Sequence, residues 1–324
     1  MRKTNAALGV VATAAATTIV VTVIERRVLA LLDSTGSPAH WKPPRFPYGD
    51  DVTIPVDDGA EIRARQCGDP NDPTVVLVHG LTSSINDWGL VADDLVSRGY
   101  CVVGINQRGH GGSTIGDSGF TPTRLGTDLG QVLRAMDLRN VTLVGHSMGG
   151  IASMSLMTLA AESGAERVGS LALVSTIAHT HRADRKAMLA LGNTRPYERL
   201  AHQPTHASTI ARFVFGEQPS REMVDAALSS NYSCPRETRV GAARGLQNYD
   251  IRDRIGDITV PTLAMCGDRD RVTPLRDNRQ IAAAIGADLE VIPGTGHLVI
   301  WEAPNRIAEA IDELATRTNQ TTNS

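Results

Sequence analysis

Ser147 sits in Gly145-His146-Ser147-Met148-Gly149, and its neighbours suit a nucleophile. The apolar run Val141–Val144 leads into it, and a helix-forming run follows from Ile151. A serine hydroxyl is a weak nucleophile and must project clear of the backbone toward a base. A sharp strand-to-helix turn does this, at the expense of strained backbone at the serine. Gly145 and Gly149 leave room for the strand and helix to approach each other. The helix start also aims free backbone N–H groups, that of Met148 among them, at the place where an oxyanion would form.

Such a serine needs a base, and the base needs an orienting acid. Gly267-Asp268-Arg269-Asp270 follows the apolar run Leu263–Cys266, and Gly294-Thr295-Gly296-His297 follows Leu289–Ile292. The chain order Ser, Asp, His belongs to one triad lineage and differs from both protease orders. On position alone, either Asp268 or Asp270 could serve.

These side chains must be carried by a scaffold. Asp51–Asp57 and Glu61–Gln66 alternate in polarity around Asp58-Gly59, which predicts a hairpin at a sheet edge. From Thr74 onward, short continuous apolar runs appear at 75–78, 101–105, 141–144, 171–174, 262–265 and 289–292. Such runs suit strands buried on both faces. Helix-like segments alternate with them at 87–98, 122–136, 151–162, 275–285 and 304–316. The alternation predicts a mostly parallel sheet with helices on both faces. The interval from Val174 to Val260 breaks the rhythm and reads as helices near 183–191, 208–215, 220–229 and 238–247. It is expected to be a helical cap above the strand C-termini.

The sequence resembles the α/β-hydrolase fold family over roughly Asp51 to Ala315. The resemblance rests on His79-Gly80, Arg108-Gly109-His110-Gly111, Gly145-His146-Ser147-Met148-Gly149, Gly267-Asp268-Arg269-Asp270 and Gly296-His297. It implies an eight-stranded, mostly parallel α/β sheet with an inserted cap. It also implies Ser147 as nucleophile, His297 as base and Asp270 as acid, with Asp268 as the fallback. By the same resemblance, His79 shapes the oxyanion loop, and the N–H of Leu81 is the second oxyanion donor beside that of Met148. Relatives that open epoxides or displace halide carry aspartate where Ser147 stands, so those activities are disfavoured. Many relatives have aspartate at the position of Asn106, which organises a turn.

Composition narrows the partners. A formal net charge of −3 and 4% aromatic residues give neither the basic field nor the stacking platform that nucleic acid requires. Cys67, Cys101, Cys234 and Cys266 match no zinc spacing, and Cys101 and Cys266 read as small core residues. His179-x-His181 lacks a spaced carboxylate or cysteine partner, so a solvated or pocket-lining role is expected there rather than a metal.

The expected division is an anchor or signal segment at 1–27, a proline-rich linker at 28–50, the core at 51–177 and 259–316, the cap at 178–258, and a disordered tail at 317–324. Within the first segment, the uncharged run Ala6–Ile24 lies between Arg2-Lys3 and Glu25-Arg26-Arg27. It is just long enough to span a bilayer, which predicts a membrane tether or an exported chain, a cleaved signal peptide and a soluble helix being the rivals.

The expected activity is a serine esterase acting on small-molecule or lipid esters without metal or organic cofactor. Carbon–carbon bond hydrolysis, cofactor-free perhydrolysis and acyl transfer use the same three residues in the family. A non-catalytic binding protein on the same fold is the reading from another class. Substrate identity falls to cap residues such as Met188, Leu189, Leu191, Phe213, Val214 and Phe215, most of which have packing as the simpler role.

Overall fold

The computed structural model describes residues 41–159, 163–181 and 212–322. Its centre is one eight-stranded sheet in the order β1-β2-β4-β3-β5-β6-β7-β8. The strands are β1 (Asp50–Pro55), β2 (Glu61–Cys67), β3 (Thr74–Val78), β4 (Cys101–Asn106), β5 (Val141–His146), β6 (Val168–Val174), β7 (Thr262–Gly267) and β8 (Asp288–Ile292). β1 and β2 form the antiparallel edge hairpin that the Asp58-Gly59 turn predicts, with Pro55 opposite Glu61. β2 pairs antiparallel with β4, and every pairing from β4 to β8 is parallel.

Helices cover both faces, because continuous apolar strands leave no face for water. On one side, α1 (Gly89–Ser97) and α8 (Pro304–Thr322) bury Val91, Leu95, Ile307 and Ile311. On the other, α2 (Pro122–Ala135), α3 (Met148–Met157) and α6 (Leu275–Ile285) bury Leu125, Leu129, Met154 and Ile281. α2 starts cleanly because Thr121 accepts the N–H of Arg124 and Pro122 occupies the first turn.

The interval between β6 and β7 contributes α4 (Arg221–Ser233) and α5 (Arg236–Leu246). The helix expected at 183–191 and residues 208–211 of the one expected at 208–215 lie outside the described residues, as do Met188, Leu189 and Leu191, while 212–214 are helical. Of the other cap residues, Phe215 is fully buried while Phe213 is half exposed. α7 (Val299–Glu302) is a short helix that the sequence pattern did not predict.

Two expectations are corrected. The tail expected to fray from 317 continues α8 as far as Thr322. Thr318 is buried there, and its hydroxyl donates to the Leu314 carbonyl. The expected transmembrane helix finds no support, since among the described residues no helix is long and apolar enough to cross a membrane. The run 6–24 that prompted it lies outside those residues.

Candidate active site

Ser147 is the only residue between β5 and α3. Its backbone lies at φ 54°, ψ −116°, a region costly for a residue with a Cβ. The surroundings hold it there. Its N–H donates to Val174 O at 3.0 Å, and Thr176 Oγ1 donates to its carbonyl at 2.8 Å. The flanking glycines are required by contact. A Cβ on Gly149 would come 2.2 Å from Val78 O, and one on Gly145 would come 2.5 Å from Gly149 O. The turn therefore fixes glycine at two positions of the five-residue motif.

The loops after β7 and β8 bring their side chains to this turn. His297 Nε2 lies 3.1 Å from Ser147 Oγ, and Nδ1 lies 3.0 Å from Asp270 Oδ2. That pairing sets the tautomer: Nδ1–H donates to the carboxylate, and Nε2 accepts from the serine hydroxyl. Asp270 also accepts the N–H groups of Val272 and Thr273, both at 2.8 Å, and the Thr273 hydroxyl at 2.6 Å. Burial acts to raise its pKa, but the charge and hydrogen bonds of His297 and Thr273 outweigh this and hold it below the ordinary value. Asp268 does not meet His297; it accepts the N–H of Gly294 at 2.8 Å and so supports the turn leading to the histidine.

Leu81 lines the same cleft as Ser147 and Met148 follows the serine as the first residue of α3, and among the described residues neither backbone N–H donates a hydrogen bond. The loop carrying Leu81 is set by His79. Its Nε2 accepts Gln107 N–H at 3.0 Å, so its Nδ1–H donates to Gly80 O at 2.7 Å. Burial holds His79 well below the usual histidine range, which keeps it neutral as this pattern demands. His110 Nε2 accepts the N–H of Thr82 at 3.2 Å, and burial pushes its pKa down to about 4. Asn106 Oδ1 accepts the N–H of Ile85 at 3.0 Å, which pins the next turn of the same loop.

Three supports were not legible in the sequence. His146 donates from Nε2 to the carbonyl of His297 at 2.9 Å, so the residue before the nucleophile holds the histidine's backbone. Burial, together with the neighbouring His297, brings its pKa to about 3. Glu302 accepts Gly216 N–H at 2.8 Å and Gly296 N–H at 2.7 Å, and burial raises its carboxyl to about 7. His179 and His181 do have a carboxylate neighbour. His181 Nε2 lies 3.0 Å from Asp277, which is distant in sequence. Among the described residues no set of three or more histidine, cysteine or acidic side chains could hold a metal ion. The four cysteines are buried and free.

A cleft of about 120 Å³ opens beside Ser147 and His297. Leu81, Val214, Ala227, Leu298 and Trp301 supply its apolar lining, and Thr82, Ser83, Asp87, Ser230 and Asn231 its polar lining.

A family model described as "alpha/beta hydrolase fold" matches residues 73–304. The chain belongs to the α/β-hydrolase fold family. Among curated proteins, the non-heme haloperoxidase of Rhodococcus erythropolis is 25% identical over 75% of this chain and 92% of its own length. The 2-hydroxy-6-oxononadienedioate/2-hydroxy-6-oxononatrienedioate hydrolase of Escherichia coli is 28% identical over 78% of this chain and 88% of its own. Among solved structures, an esterase from Exiguobacterium antarcticum superposes with a TM-score of 0.72 at 23% identity, covering 82% of this chain and 99% of that one. That last likeness speaks for the fold alone. The family carries hydrolase activity as the general function of the chain, and its named relatives include a haloperoxidase, a hydrolase and an esterase.

Proposed function

We propose that this hydrolase cleaves carboxylic esters through an acyl-enzyme on Ser147. The observation that carries the reading is the continuous relay from Ser147 Oγ through His297 to Asp270, with steps of 3.1 Å and 3.0 Å. His297 Nε2 takes the serine proton as Oγ attacks the acyl carbon. Asp270 holds the tautomer and offsets the charge of the imidazolium. The Leu81 and Met148 amides receive the developing oxyanion, each worth about 3–4 kcal/mol in comparable sites. His297 then protonates the leaving alkoxide. Water activated by the same nitrogen attacks the acyl carbon, the acid departs, and Ser147 regains its proton.

The segment 178–258 is proposed as the cap that selects substrate. Among the described residues of this segment, Val214, Ala227, Ser230 and Asn231 line the cleft beside Ser147. A fluorophosphonate probe tests the nucleophile: wild type is labelled at Ser147, and Ser147→Ala is not. Labelling of the alanine variant at the same rate would refute the assignment.

A second reading, carbon–carbon bond hydrolysis, is favoured by the name of the E. coli relative. A substrate panel of p-nitrophenyl esters, a dienoic diketone and an ester with peroxide separates it and perhydrolysis from ester hydrolysis.

A further inference from the structure

Asp87 has no part in the relay, yet it lines the cleft that holds Ser147 and His297. It sits in the single helical turn Ile85–Trp88 that follows the oxyanion loop. Trp301 Nε1 donates to its backbone carbonyl at 3.0 Å, which fixes this turn against the wall of the cleft. The side chain is 7% exposed, and no cation pairs with it among the described residues. Its one side-chain partner is the hydroxyl of Ser83, which donates to Oδ2 at 2.5 Å. A carboxyl group offers about four acceptor positions, so most of its capacity is unused. Because Asp87 borders the cleft, that spare acceptor capacity is available to a donor bound there.

We propose, building on the ester-hydrolase reading, that Asp87 and Ser83 receive a free hydroxyl group carried by the substrate close to its reacting carbonyl. The Ser83 hydroxyl spends its proton on Asp87 and keeps its lone pairs, so the pair presents acceptors to a substrate donor, and a hydroxyl is a neutral donor that an ester can carry. Burial raises this carboxyl to about 7, so both forms are present near neutrality. A substrate hydroxyl can donate to the ionised form and accept from the neutral form. An ammonium group suits only the ionised form, and a carbonyl only the neutral form. The surroundings agree, since Thr82, Ser230 and Asn231 extend the polar lining while Leu298 and Trp301 supply apolar lining for an unsubstituted part. The substrate class is thus a hydroxylated ester, either a hydroxyacyl ester or a partial ester of a polyol. Asp87 is assigned as a specificity residue; it takes no part in bond cleavage.

The test compares kcat/KM for matched pairs on the full-length chain. Methyl 3-hydroxybutyrate is set against methyl butyrate, and glyceryl monobutyrate against propyl butyrate. In wild type, one hydroxylated member exceeds its plain partner by about tenfold or more, and the pair that shows it tells on which side of the ester the hydroxyl lies. In Asp87→Ala that ratio falls toward one. Ser83→Ala lowers the ratio in the same direction by a smaller factor and serves as the deciding variant should Asp87→Ala not fold. Ratios near one for both pairs in wild type overturn the proposal, as does a ratio unchanged in a folded variant. Failure to cleave any of the four esters, with Ser147 unlabelled by the fluorophosphonate, would instead remove the esterase reading beneath it.

Discussion

Replacing Glu302 by glutamine should change how stability depends on pH. The wild-type carboxyl is raised from 4.5 to about 7, chiefly by burial and despite the two backbone N–H groups it accepts. An acid whose folded pKa lies above its unfolded one keeps its proton longer in the folded state. Folding is therefore unpenalised below about pH 4.5, and stability declines as pH rises toward 7 and then levels off. A rise of 2.5 units corresponds to roughly 3 kcal/mol, an upper figure for a carboxyl that is not wholly enclosed. Glutamine cannot ionise and escapes this penalty. It also has one acceptor oxygen in place of two, so either Gly216 or Gly296 loses its partner, at about 1–3 kcal/mol. The variant should thus be the less stable protein at pH 4.5, with the deficit shrinking or reversing by pH 8. Urea unfolding of both proteins at half-unit pH steps measures the difference, and contributions from other titrating groups cancel in the subtraction. A difference constant across this range would refute both the assigned burial penalty and its cause.

Further outcomes follow from the same geometry. Asp270→Asn should leave the fold intact but lower kcat by about 10⁴-fold in an esterase assay, because the amide no longer enforces the Nδ1–H tautomer of His297. Gly149→Ala should destabilise by at least about 1–3 kcal/mol in thermal unfolding, since its Cβ would meet Val78 O at 2.2 Å. Arg108 is fully buried between Asp58 at 2.9 Å and Asp128 at 2.6 Å. Arg108→Met should cost about 3–5 kcal/mol in urea unfolding, because Asp58 is left as a buried charge without its cation.

The scaffold was largely legible because it rests on local patterns. Continuous apolar runs located β3 to β8, and the Asp58-Gly59 turn located the edge hairpin. α3 begins at Met148, three residues before the predicted start at Ile151. Gly149 and Gly150 are poor helix formers in isolation, but here they are selected for close approach: a Cβ on Gly150 would come 2.6 Å from Thr176 Oγ1. Ser147 and His297 could be placed because each follows a strand in a recognisable turn, whereas the choice of Asp270 over Asp268 rested on the family resemblance. His146 and Glu302 could not, because they act on His297 O, 151 residues away, and on Gly216 N–H, 86 residues away. The same holds for Asp277, whose pairing with His181 spans 96 residues. No spacing rule encodes a contact that only the folded sheet creates.

The backbone around His297 has a consequence for how such enzymes change substrate. The N–H groups of His297 and Leu298 both donate to Val214 O, at 2.7 Å and 3.1 Å, and Glu217 N–H donates to Gly294 O at 2.9 Å. Residues 214–217 lie between β6 and β7, in the segment proposed as the cap, so that segment steadies His297 as well as bordering the cleft. Grafting a relative's insertion onto this core would transplant part of the proton-transfer machinery along with the new pocket. Chimaeras joined after Glu217 should keep their turnover, whereas those joined before Val214 must re-create these contacts to work at all.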